Sequence, residues 1–237
     1  MKAALVSGLV AGAAVAIFHL VLIEPVIERA IQLEHQSARP QEPVTMPVVS
    51  RATQRWGLAA GLLLFGMVWG ILFGLLAYLS RAWQPQRWSA ARWGFLLALA
   101  TGWTVSLLPF LKYPANPPGV GEPETIGYRQ GLYFGFVALS VVGTALAAGL
   151  YRRLHRTAAL SEGYRPWIGP VAYALYATAA FTLMPSNPDP VRMPVRLIWT
   201  FRAISFSALI LFWMILGGVF GRLFQTDASG THTSPTP

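Results

Sequence analysis

The sequence contains no cysteine. That excludes thiolate metal sites, disulfides and a cysteine nucleophile, and says little about compartment. Charge is also scarce. Only 11% of residues are Asp, Glu, Lys or Arg, against about 25% in ordinary soluble domains. Nucleotide and catalytic signatures are missing: there is no P-loop, dinucleotide fingerprint, HExxH or nucleophile elbow. The chain therefore does not hydrolyse ATP through such a motif. Neither His19 nor His155 has a carboxylate partner at helical spacing within its own hydrophobic run, so the chain is not read as an enzyme. Acids are rarer than bases, 9 against 18. The bases flank hydrophobic runs, so the excess reads as loop charge facing an anionic leaflet and not as nucleic-acid binding.

What the chain does have is hydrophobic length. Six segments are free of Asp, Glu, Lys and Arg: Ala3–Ile23, Gly57–Leu79, Trp93–Leu111, Gln130–Tyr151, Pro166–Met184 and Ala203–Gly221. A bilayer core of roughly 30 Å needs about 20 helical residues. The runs lack barrel alternation, so helices must satisfy their backbone groups in lipid. The expected fold is all-α: one polytopic membrane domain, residues 1–224, of about six transmembrane helices, with a disordered polar tail at 225–237. The fifth span is bounded by proline at both ends. The first run could be a signal peptide cleaved near Ala14-Val15-Ala16, but it stays apolar to Ile23, too far for the usual h-region.

Arginine density orients the chain. The short connectors holding Arg81, Arg87 and Arg92, and Arg152, Arg153, Arg156 and Arg165, are placed inside by the positive-inside effect. The expectation is an inner-membrane, multi-pass protein with both termini cytoplasmic. Glu24, Glu28, Glu34, Glu42, Glu122, Glu124 and Asp189 then lie outside, where they are either simply solvated or suited to cation capture. Two exits share a Pro-small-Asn-Pro pattern, Pro114 to Pro117 and Pro185 to Pro188. Three helical hairpins around an outer vestibule, or convergent use of Asn-Pro turns, both account for it. Glycines at four-residue spacing, Gly8/Gly12, Gly66/Gly70/Gly74 and Gly217/Gly221, permit close helix packing.

The candidate site lies where the first span meets acid. His19 is the one ionisable group inside that run, and Glu24, Pro25, Glu28, Gln32 and His35 follow. If the helix continues past Pro25, Glu24, Glu28, Gln32 and His35 lie within about 80° of arc. Two carboxylates at i,i+4 repel unless water, a base or a cation separates them. His19 shares a face with Gly8, Gly12 and Val15, which points it into the bundle. There it is either a functional group or a helix–helix hydrogen-bond partner. On a straight helix His19 and Glu24 are about 140° apart, so they converge only if Pro25 bends the axis. The candidate metal-binding residues are His19, Glu24, Glu28 and His35, a carboxylate–imidazole set that Co(II) accepts.

The order of short motifs resembles the CbtA-type proposed cobalt transporter subunits. The matching pieces are Ile23-Glu24-Pro25-Val26-Ile27, Leu108-Pro109 leading to Pro117-Pro118-Gly119, Arg129-Gln130-Gly131-Leu132-Tyr133, Ile168-Gly169-Pro170, and Phe212-Trp213 with Leu216-Gly217. The resemblance covers nearly the whole chain. It implies a multi-spanning subunit with five spans, where the residues read as six. It also implies a small single-span partner with a His-rich tail (CbtB-type), Co(II) as the transported ion with no resident cofactor, and a link to cobalamin synthesis. The function expected is a membrane subunit of a cobalt uptake transporter. The alternative is a structural or assembly subunit without its own permeation path.

Overall fold

The structure is a computed structural model that describes residues 1–37, 49–156, 163–191 and 193–230. Glu42 and His232 lie outside the described residues, as does the side chain of His155. The elements are α1 (Lys2–Phe18), a π-turn (His19–Ile23), α2 (Glu24–Ser37), α3 (Arg51–Ser80), α4 (Ala90–Gly102), a second π-turn (Trp103–Leu107), α5 (Leu108–Lys112), α6 (Ile126–Arg156), α7 (Arg165–Leu183) and α8 (Val195–Gly230). Among the described residues there is no strand, as expected for an all-α membrane protein. Five helices are long and apolar enough to cross a membrane, and a sixth apolar helix, Trp167–Leu183, is shorter. That shorter helix is the proline-bounded fifth segment, which accounts for five spans on one count and six on the other. The helix α8 continues to Gly230, into the segment read as polar tail, and residues 231–237 lie outside the described set.

Two compact units are formed. Unit 1 comprises Met1–Gly102, Pro117–Gly119 and Met193–Pro237; unit 2 comprises Trp103–Asn116 and Val120–Arg192.

In unit 1 the glycine stripes do what their spacing suggests. A Cβ at Gly8 would overlap the carbonyl oxygen of Gly66, and one at Gly12 would sit 2.6 Å from that of Leu62. Gly70 faces Ala4 and Gly8. Rising numbers on α1 meet falling numbers on α3, so the pair is antiparallel and the backbones touch. The helix α8 packs against α1 beside this pair, and Phe65, Trp69 and Phe73 of α3 reach Phe212, Trp213 and Phe220 of α8 at centroid distances of 5.5, 5.2 and 5.1 Å. The Trp69–Trp213 and Phe73–Phe220 pairs are edge-to-face, and such rings add stabilisation beyond their buried area. The helix α4 lies antiparallel on α8: Gly102 gives room to the fully buried Trp213, and Gly221 abuts Ala91. The first two spans thus form the expected hairpin, while span three pairs with span six.

Replacing Gly8 by Val is expected to cost about 3 kcal/mol, because backbone and not a side chain occupies the space. A lowered melting temperature in detergent would show it. An unchanged one would mean the α1–α3 contact is looser than described.

In unit 2 the antiparallel pair is α6 and α7. Gly143 accommodates the Tyr176 ring, whose hydroxyl donates to the Leu139 carbonyl at 3.0 Å.

Candidate functional site

Pro25 sets the local geometry in unit 1. It has no N–H for an α-helical bond to Val21, and its ring would press on that carbonyl. The chain accommodates this by widening the preceding turn to a π-turn, His19–Ile23, in which the Glu24 N–H donates to the His19 carbonyl. A wide turn with i→i+5 bonding brings residues five apart towards one side, and such turns recur at functional sites. The helix therefore does not leave at Pro25; it continues from α1 through α2. The second π-turn, Trp103–Leu107, is placed identically before Leu108-Pro109.

The wide turn delivers Glu24 to the interior. Its side chain is 8% exposed. One carboxylate oxygen, Oε1, accepts from Arg51 Nη2 at 2.5 Å and from Arg55 Nε at 2.7 Å. Arg55 also donates to Glu28 Oε1. Among the described residues nothing donates to Glu24 Oε2. Local bonds fix the arginines in the first turns of α3. Ser50 caps the helix by accepting from the Thr53 N–H at 3.2 Å. Arg51 Nη1 donates to Gln54 Oε1 at 2.6 Å, and Gln54 Nε2 to the Val49 carbonyl at 3.2 Å. The base required between the two carboxylates is thus supplied by the chain itself.

His19 is half-buried, and its Nδ1 is covered and has no hydrogen-bond partner among the described residues. His35 is exposed, near the end of α2. At 1.5 Å per residue it lies roughly 16 Å along the axis from Glu24. Ligands of one ion sit about 2 Å from it, so the sequence-predicted residues cannot form a single coordination shell. They form a track: His19, then Glu24 and Glu28 bridged by Arg55, then His35. Among the described residues no three His, Asp or Glu side chains converge as a metal-holding group.

Sequence reasoning missed Arg51 and Arg55. The signal was present: Arg51 and Arg55 repeat at i,i+4 at the start of span two, as Glu24 and Glu28 do at the end of span one.

Unit 2 holds a second carboxylate cluster. Asp189, with a side chain 2% exposed, lies 3.0 Å from Arg129 Nε. Asp189 Oδ2 also accepts from Thr125 Oγ1 at 2.9 Å and from the Glu122 N–H at 3.3 Å. Gly121 makes this possible: its φ is +102°, and a Cβ there would lie 2.7 Å from Asp189 Oδ2. Tyr113 donates to the Pro185 carbonyl at 2.6 Å, and desolvation, helped by Tyr128, holds its phenol above the usual range, protonated and donating. The two Pro-small-Asn-Pro exits are therefore bonded to each other. Asp189, grouped by sequence with the solvated or cation-capturing loop acids, is committed to Arg129. Deeper in unit 2, the Thr104 and Thr144 hydroxyls lie 3.0 Å apart, and Thr144 donates to the Ser140 carbonyl at 3.0 Å.

No curated protein and no solved structure matches the chain. A family model described as "Probable cobalt transporter subunit (CbtA)" matches residues 1–225. Its members are transporter subunits, not enzymes, which agrees with the absent catalytic motifs and with the apolar helices. The chain belongs to the CbtA family, as a multi-pass membrane subunit of a probable cobalt transporter.

Proposed function

We propose that the chain is the membrane subunit of a cobalt uptake system that supplies cobalamin synthesis, with His19, Glu24, Glu28 and His35 as successive stations for the ion. The observation that carries this reading is Glu24: a buried carboxylate at a wide helical turn, with one oxygen holding two guanidiniums and the other without a donor among the described residues. Its neighbour His19 has a ring nitrogen, Nδ1, without a partner among the described residues. Co(II) takes both carboxylate and imidazole. One divalent ion also carries the same charge as the two guanidiniums it would displace, so the exchange leaves the net charge around Glu24 and Glu28 unchanged. Two imidazoles are few for selectivity. A single-span partner with a His-rich tail (CbtB-type) would supply more. In this reading the protein lies in the inner membrane with both termini cytoplasmic.

The second reading, a structural or assembly subunit, is favoured by the same ion pairs, since each carboxylate already has a guanidinium. Cellular cobalt accumulation separates the two, measured in a strain lacking other cobalt uptake, with nickel and zinc as controls. The arms are the chain alone, the chain with the partner, and the pair carrying Glu24→Gln/Glu28→Gln. The expected result is partner-dependent uptake that falls at least tenfold in the mutant while the protein still inserts. Uptake equal to empty vector, with both proteins inserted, sinks the permease reading.

A further inference from the structure

The end of unit 1 remote from Glu24 gathers cationic charge, with Asp227 near the end of α8 as an acid on the same side. Because α1 and α3 are antiparallel, Lys2 lies at the end where α3 finishes. Arg81, Arg87 and Arg92 follow in the connector to α4, interleaved with Trp83, Trp88 and Trp93; no Asp or Glu occurs between Glu42 and Glu122. All three arginines are exposed. Among the described residues none of them meets a carboxylate, whereas Arg51 and Arg55 at the opposite end are held by Glu24 and Glu28.

The connector is folded in advance of any ligand. Arg81–Trp83 forms a 3₁₀ turn. Gln84 N–H donates to the Arg81 carbonyl at 3.2 Å, Gln84 Nε2 to the Trp88 carbonyl at 2.8 Å, and Trp88 N–H to the Pro85 carbonyl at 2.9 Å. Aromatic rings hold two of the guanidiniums: Arg81 lies 4.1 Å over Tyr78, and Arg92 lies 4.8 Å over Trp88. Trp88 in turn packs against Trp93 at 6.2 Å, and the Trp93 indole N–H finds no acceptor among the described residues.

Stacking restricts a guanidinium while leaving its N–H edge open to an anion, and the planar fork suits phosphate oxygens. Indole rings settle at headgroup depth. Three guanidiniums that meet no carboxylate among the described residues, beside three indoles, therefore match a ligand that is anionic at one end and apolar at the other. We infer that the Arg81–Arg92 connector binds the phosphodiester headgroup of an anionic lipid.

The test uses the purified full chain in neutral detergent. Phosphatidylglycerol and phosphatidylcholine are titrated in separate arms, and bound lipid is counted by native mass spectrometry. The expected result is a preference for phosphatidylglycerol of about tenfold or more, given several bases at the surface. It should vanish in Arg81→Gln/Arg87→Gln/Arg92→Gln and persist in Arg152→Gln/Arg153→Gln. Circular dichroism confirms that the variants remain helical, and Arg81→Lys/Arg87→Lys/Arg92→Lys should regain part of the preference. Equal loss in both Gln variants would show diffuse charge and overturn the proposal. So would displacement of the lipid by millimolar inorganic phosphate, which would identify a site for a soluble anion.

Discussion

Exchange of both Arg51 and Arg55 for Gln is expected to lower the melting temperature in detergent and, in the same protein, to tighten cobalt(II) binding. The first effect follows from burial. The Glu24 side chain is 8% exposed, and its charge is balanced by these two groups. Removing the partners of a fully buried charge costs about 3–5 kcal/mol. Here the arginines are themselves 36% and 40% exposed, so a loss of about 2 kcal/mol is expected after solvent screening. The second effect follows from competition, since an arriving cation no longer has to displace guanidiniums. An affinity gain of tenfold corresponds to about 1.4 kcal/mol. The two effects join in a third readout: cobalt at about a hundred times its Kd should restore about 2.7 kcal/mol, returning the melting temperature towards that of the unaltered protein. Glu24→Gln/Glu28→Gln should show no such rescue. If the arginine variant is destabilised and cobalt neither binds more tightly nor restores it, the carboxylates serve packing alone.

That pairing was within reach of the sequence. The α1–α3 contact pairs Gly12 with Gly66, Gly8 with Gly70 and Ala4 with Gly74, and the two numbers of each pair add to the same total. Continuing the register past Ile23 places Glu24 opposite Gln54, between Arg51 and Arg55. Periodicity and small-residue stripes thus carry both the hairpin and its ion pairs, because helix packing propagates register over many turns. The π-turns were not legible. A proline inside an apolar run can end, kink or widen a helix, and the sequence around Pro25 favoured a bend. The wide turn prevails because α2 and the turn itself pack on α8, contacts made by residues far along the chain. The pairing of α4 with α8 was hidden for a similar reason. Order in the chain suggests neighbours, whereas Gly102 meets Trp213 and Gly94 meets Phe220 through shape alone. The residues that resemble the family were informative about identity and silent on these contacts.

Asp189 was misjudged by the same local logic, and its removal is expected to be the costliest single change in unit 2. Sequence alone made it one more loop acid. Its environment comes from three separate places: Gly121 at positive φ, Thr125 at the 3₁₀ turn Pro123–Thr125, and Arg129 one turn into α6. Arg129 Nε is 3.0 Å from the carboxylate but out of line for a hydrogen bond, so that attraction is mainly coulombic. The directional bonds come from Thr125 and the Glu122 N–H. Asp189→Ala removes all of them and leaves the Arg129 side chain, 24% exposed, without its counter-charge. A loss of about 3 kcal/mol is expected, at the low end for a broken buried pair. Asp189→Asn should cost less, because one oxygen still accepts from Thr125. Replacing Asp189 and Arg129 together by Leu should recover much of the loss, since no buried charge is then left alone. Thermal unfolding of Asp189→Leu, Arg129→Leu and the double Leu variant closes the cycle and gives the coupling energy. A coupling near zero, with Asp189→Ala within about 0.5 kcal/mol of the unaltered protein, would mean that the two proline-ordered exits are held by Tyr113 and the Pro185 carbonyl instead.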